Sequence, residues 1–124
     1  MGRYISGDIE AKCWFGVQDS NFADRFGVKG EPPPELEYYF EDTDLPKVEK
    51  ELKKIRQHLK GKLSLLNKFF DKHNAYTMDE LYRYLKVDKE TGYYLLQEYA
   101  DYCRGVDIKD CIKEKGYCSF SVEL

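Results

Sequence analysis

From Ile5 to Val17 apolar and polar residues alternate, and this limits what the chain can become. Ile9, Ala11, Cys13, Phe15 and Val17 take the odd positions; Asp8, Glu10, Lys12, Trp14 and Gln18 take the even ones. A period of two puts each set on its own face of an extended backbone. The pattern therefore predicts a half-buried strand, bent where Gly7 and Gly16 interrupt it. The last residues repeat it: in YCSFSVEL, Cys118, Phe120, Val122 and Leu124 form the apolar set. Strands cannot bury an apolar face alone, so the N- and C-terminal strands are expected to pair with each other. LEYYF, Leu36 to Phe40, supplies a third strand. It follows a loop in which Pro32, Pro33 and Pro34 hold the chain extended. That loop is expected to contain at most one short helical turn, around Phe22 to Phe26.

The middle of the chain changes period. Val48, Leu52, Ile55, Leu59, Leu63, Leu66 and Phe70 recur every three or four residues, one stripe of a long helix. Asp44 is placed to cap it and Pro46 falls in its first turn, where no intrahelical bond is lost. Gly61 gives it a soft centre, within one continuous helix. Thr77 and Glu80 make a capping box for the next helix, with Tyr76 and Leu81 placed as its hydrophobic staple. A third helix follows KVDKE and runs to about Arg104, where Gly105 and Val106 resemble a left-handed C-cap with its apolar contact. A short helix, DIKDCIKEK, ends at Gly116. The expected fold is a single α+β domain over residues 1–124. Its small antiparallel sheet of about three strands is covered on one face by three to four helices.

Composition narrows the function classes. The net charge is −3 over 124 residues, with 35% charged residues of both signs. Neither a general nucleic-acid binder nor a highly acidic nucleic-acid mimic has that balance. No apolar run reaches the roughly 20 residues that cross a bilayer, so no membrane role is expected. Cys13, Cys103, Cys111 and Cys118 form no CxxC pair and sit among apolar neighbours. They read as small buried hydrophobes in a reducing cytoplasm, with no metal and no cofactor.

Asp8 and Glu10 on one strand face would lie about 6.5–7 Å apart, a spacing that suits acid–base work or a divalent cation. No nucleophile or oxyanion donor accompanies them, so solvation of an outer sheet face with Lys12 is the simpler account, and no enzyme is expected. Trp14 is the residue on that face that solvation does not explain, and large aromatics anchor protein interfaces. Tyrosine is crowded: Tyr76, Tyr82, Tyr84, Tyr93, Tyr94, Tyr99 and Tyr102 fall on two consecutive helices, more than one buried face can use. The expected partner-binding set is Trp14, Asp8, Glu10, Lys12, Tyr94 and Tyr102, presented to a protein partner, with homodimerisation as one arrangement. The alternative is nucleic-acid or nucleotide binding by Lys47, Lys50, Lys53, Lys54 and Lys60 of the basic helix, with aromatic stacking.

Two resemblances bear on this choice. LKVDKETGYYLL resembles the turn and second helix of helix-turn-helix proteins, through Leu85, Val87, Asp88 and Thr91. Gly92 departs from that pattern, and Glu90, Gln97, Glu98 and Asp101 on the would-be reading face repel phosphate, so a packing hairpin is expected instead. The opening GRYISGDIEAKCWFGVQ, with ADRFG and the closing GYCSFSVEL, resembles a set of small proteins encoded by bacteriophages and their environmental relatives. That resemblance implies a phage protein acting inside a bacterial host, where it binds and inhibits a host factor or a defence system such as a CRISPR effector.

Overall fold

The computed structural model describes residues 4–12, 21–28, 30, 35–59, 61–72 and 77–123. Trp14, Lys60 and Tyr76 lie outside that set, as do Cys13, Leu124, Pro32, Pro33 and Pro34 and the side chain of Lys12. Strand β1 (Tyr4–Gly7) pairs antiparallel with β4 (Tyr117–Glu123), Ile5 opposite Val122 and Gly7 opposite Phe120. The N- and C-terminal strands thus meet as their alternation requires. Strand β3 (Glu35–Glu41) runs along the other side of β4 over its full seven residues, from Glu35 opposite Glu123 to Glu41 opposite Tyr117. A two-residue strand, β2 (Ala11–Lys12), completes the order β2-β1-β4-β3.

The first alternating stretch is therefore a hairpin and not one bent strand. The chain reverses between Gly7 and Ala11, bringing Tyr4 opposite Lys12 and Ile5 opposite Ala11. Odd positions remain in register with odd ones across the turn, so alternation alone cannot distinguish a hairpin from a long strand. The mark of the reversal is Gly7, whose φ of +128° is one that residues with a side chain rarely adopt.

The long helix expected from residue 44 onward is two helices, α1 (Leu45–His58) and α2 (Leu63–Lys72). They part at Gly61, whose φ of +78° is left-handed, while the Lys62 N–H turns back to the Leu59 carbonyl at 3.0 Å. The Asp44 side chain does not cap α1. It accepts the Glu41 N–H at 2.9 Å and so stabilises a single 3-10 turn, Asp42–Asp44, that leads into the helix. The next start is as the sequence indicates. The Thr77 hydroxyl accepts the Glu80 N–H at 3.2 Å to open α3 (Met78–Leu85).

Helix α4 (Lys89–Lys115) opens with the Asp88 carboxylate accepting the Thr91 N–H at 2.8 Å, then runs unbroken for 27 residues. Gly105 does not end it. Phe26, from the 3-10 turn Phe22–Phe26, and Leu52 of α1 press against the bare helix backbone there. A methyl group on Gly105 would lie 2.7 Å from Leu52 Cδ2 and closer still to the Phe26 ring. Gly92 does the same under Tyr82 of α3, which explains its departure from a helix-turn-helix core.

The core lies between the helices and one face of the sheet. Val48, Leu52, Ile55, Leu59 and Leu66 are buried as the stripe predicts, whereas Phe69 takes the buried position expected of Phe70. Ile5, Tyr38, Phe40, Cys118, Phe120 and Val122 form the inner sheet face, with Tyr38 stacked on Phe120 at 5.3 Å. Cys111 and Cys118 are buried free thiols and Cys103 is half-buried. Tyr4, Ser6, Glu37, Tyr39, Tyr117 and Ser119 point the other way and are exposed. No helix among the described residues is long and apolar enough to cross a membrane.

Gly105→Ala tests the close approach. Alanine propagates a helix better than glycine by about 1 kcal/mol, yet overpacking against Phe26 and Leu52 should lower unfolding stability by about 1–3 kcal/mol. Urea denaturation reads the difference, and a gain in stability would refute the close approach.

Candidate functional site

The 3-10 turn that seats Phe26 also aims its neighbour Arg25 at three carboxylates. Arg25 Nε contacts Glu51 of α1 at 2.9 Å, and its Nη1 contacts Glu98 at 2.5 Å and Asp101 at 2.9 Å, both on α4. The His58 Nδ1 also hydrogen-bonds Glu98, and the Tyr94 hydroxyl donates to the same carboxylate at 3.4 Å. Glu98 is only 7% exposed, the one buried charged residue among those described. Burial alone would raise its pKa, but hydrogen bonds from Arg25 and His58 outweigh that and hold it below the usual carboxylate value. Burial also disfavours the Arg25 charge, and its carboxylate partners more than reverse the effect.

A histidine steered by a carboxylate is half of an acid–base site. Among the described residues, the hydrogen-bonding and ion-pairing partners named in this cluster include no serine, threonine or cysteine to serve as nucleophile. The Arg25 guanidinium occupies the centre of the carboxylate set, where a cation would sit. Among the described residues no group of three or more His, Cys, Asp or Glu side chains is arranged to hold a metal ion. The arrangement is an electrostatic clasp that ties the 3-10 turn to α1 and α4. Sequence reasoning placed Glu98 and Asp101 on an outward-facing helix surface; instead Arg25 draws both toward the protein. The available signal was Glu98 itself, a carboxylate flanked by the apolar pairs Leu95–Leu96 and Tyr99–Ala100.

Of the expected partner-binding residues, Trp14 and the Lys12 side chain lie outside the described set, and Asp8 and Glu10 do not share one surface with Tyr94 and Tyr102. Asp8 and Glu10 lie in the turn between β1 and β2, so they are not neighbours on one strand face. Asp8 accepts the Ser119 N–H at 2.9 Å and a Lys115 Nζ hydrogen at 3.1 Å, which hold its carboxyl below the ordinary value. Glu10 is exposed and lines a small cleft with Asp107, Asp110 and Glu114. Tyr94, 44% exposed, and Tyr102, half-buried beside Arg56, lie farther along α4. At 1.5 Å per residue, Tyr102 is about 20 Å from Lys115 along the helix.

Two other surfaces are assembled. Lys47, Lys50, Lys53 and Lys54 line a groove of about 720 Å³ between α1 and the 3-10 turn, with Gly27 and Gln57. Its one carboxylate, Glu51, is held by Arg25. The second surface is the outer face of the sheet. Tyr39 and Tyr117 stack across β3 and β4 with ring centroids 6.2 Å apart, and Tyr39 is 54% exposed. Beside them is a shallow depression of about 500 Å³ lined by Ser6, Glu37, Tyr39, Ser119 and Ser121, with Val28 also reaching it. The crowded helical tyrosines divide: Tyr82 and Tyr99 are buried, while Tyr84, Tyr93 and Tyr94 are exposed.

Arg25→Ala should cost about 3 kcal/mol at neutral pH, because Glu98 is left buried without its cation. The sign with pH follows from the depressed pKa. In the wild type, the stability from Glu98 is full above its unfolded pKa, near 4.5, and is lost as pH falls through the lower folded value. In the variant that carboxyl gains less from ionisation, since only His58 and Tyr94 remain beside it, so the stability gap should narrow below about pH 4. Urea denaturation from pH 3 to pH 7 checks this, and a gap independent of pH would contradict it. Comparison with family models, curated proteins and solved structures finds no match to this chain, so function must be argued from these surfaces.

Proposed function

We propose that this chain is a non-catalytic protein-binding module whose contact surface is the outer face of its sheet. The observation that carries the reading is the stacked Tyr39–Tyr117 pair beside a floor of Ser6, Ser119 and Ser121. Tyrosine and serine together make effective recognition surfaces. Tyrosine brings large, rigid contact area at little entropic cost, and serine brings short hydrogen-bonding groups that adapt to a partner. Central strand β4 carries Tyr117, Ser119 and Ser121 and is paired on both sides, which keeps the floor rigid. The phage resemblance adds a class of partner, a host factor or defence complex that the protein would block, a CRISPR effector among them.

The test is affinity capture from a bacterial host lysate, with nuclease, followed by comparison of variants. The wild type should retain a stoichiometric protein. The double variant Tyr39→Ala/Tyr117→Ala should lose at least about tenfold in affinity while keeping its far-ultraviolet dichroism, since tyrosine truncations at interfaces cost on the order of 2 kcal/mol. Undiminished capture by this variant would remove the sheet face from the site.

The lysine groove favours a second reading, binding of single-stranded nucleic acid. Contacts from four lysines predict a log–log salt slope of about −3. Lys50→Glu/Lys54→Glu should abolish such binding and leave capture of a protein at the sheet face intact.

A further inference from the structure

Strand β3 is the edge of the sheet, and among the described residues no strand lies on its outer side. Its whole length is extended and held by β4, and apart from the Glu41 N–H, which the Asp44 carboxylate takes, it offers a row of main-chain donors and acceptors. The most direct occupant would be β3 of a second copy, and charge opposes it. Two-fold antiparallel pairing must keep inner residues opposite inner residues. Registers centred on residues 37 or 39 place Glu37 opposite itself or opposite Glu41. The register centred on Tyr38 places Glu41 opposite position 35, also glutamate. Every register that overlaps five or more residues of β3 therefore sets like charges directly across from each other, which is destabilising.

The same residues specify what does fit. Glu37, Tyr39 and Glu41 alternate along the exposed face of β3, acid–aromatic–acid. We propose that β3 accepts an extended segment of a partner protein as an added antiparallel strand, with lysine or arginine at alternate positions facing Glu37 and Glu41. The central contact is with Tyr39, already braced by Tyr117. Main-chain hydrogen bonds would supply affinity and the alternate cations would supply register and selectivity. This rests on the outer sheet face being the binding surface, which the added strand would extend beyond β3.

Nine-residue peptides of alternating lysine and threonine, titrated into isotopically labelled protein to millimolar concentration, test the proposal by amide shifts and hydrogen exchange. Binding should shift and protect β3 amides, and the peptide with glutamate in place of lysine should bind at least tenfold more weakly. Glu37→Lys/Glu41→Lys should reverse that order. In an antiparallel strand alternate N–H groups point to opposite sides. N-methylation of one parity of peptide residues should therefore abolish binding, and methylation of the other parity should spare it. No response at β3, or equal loss from both methylated peptides, would overturn strand addition. Lysate capture separates this from the wider reading. Loss in Tyr39→Ala/Tyr117→Ala with full retention in Glu37→Lys/Glu41→Lys would sink the edge alone, and retention in both would sink both.

Discussion

Phe26 entering the space left by Gly105 is the contact on which the remaining architecture depends. It brings the 3-10 turn, α1 and α4 together at one point, with Leu52 as the third member. The adjacent Arg25 is thereby carried to Glu51, Glu98 and Asp101, where its charge is used three times over. An arginine with its own flexibility would lose much entropy in meeting three partners, and one whose neighbour is already locked loses less. Apolar packing sets the position and the ion pairs then hold it. Engaging Glu51 is a by-product that takes up the one carboxylate lining the lysine groove.

The two faces of the sheet divide the work. The inner face is aromatic and buried, with Tyr38 reaching through the core to donate to Asp24 at 2.6 Å. Asp24 also accepts the Gly30 N–H, so the segment entering β3 is tied to the turn that carries Arg25. Among the described residues no helix lies on the outer face, where Tyr4, Tyr39, Tyr117 and Ser119 are exposed. Small serines on the central strand leave room beside the tyrosines, giving a surface that is rigid below and adaptable above.

Much of this was legible in the sequence, and what was not has identifiable causes. Alternation located β1 and β4 and the buried set on each, because a period of two has one structural meaning once a partner strand exists. The cap at Thr77 was legible because it is local. The hairpin after Gly7 was hidden because a reversal can preserve inside–outside parity. Gly105 and Gly61 were misjudged in opposite directions, for a glycine near Val106 resembles a helix end and a glycine in a long stripe resembles a flaw. Only the tertiary neighbours, Phe26 at one and none at the other, distinguish them. The Arg25 clasp joins residues more than seventy positions apart, so no local pattern could announce it. The outer sheet face is only half visible in sequence: the tyrosine crowding falls on the helices, whereas the pair that stacks sits on strands.

The strand order carries a consequence for how this molecule comes into being. β1 and β3 never touch; both depend on β4, which follows every other element in the sequence. Closing the sheet means joining segments over a hundred residues apart, a slow event set by loop entropy and not by local propensity. During synthesis the helices can collapse early around α1, while β1 and β3 wait with their edges open. A chain interrupted before Tyr117 would hold most of the core residues and none of the central strand, so the outer sheet face proposed for recognition would not exist. Such a protein completes this sheet all at once, with β4.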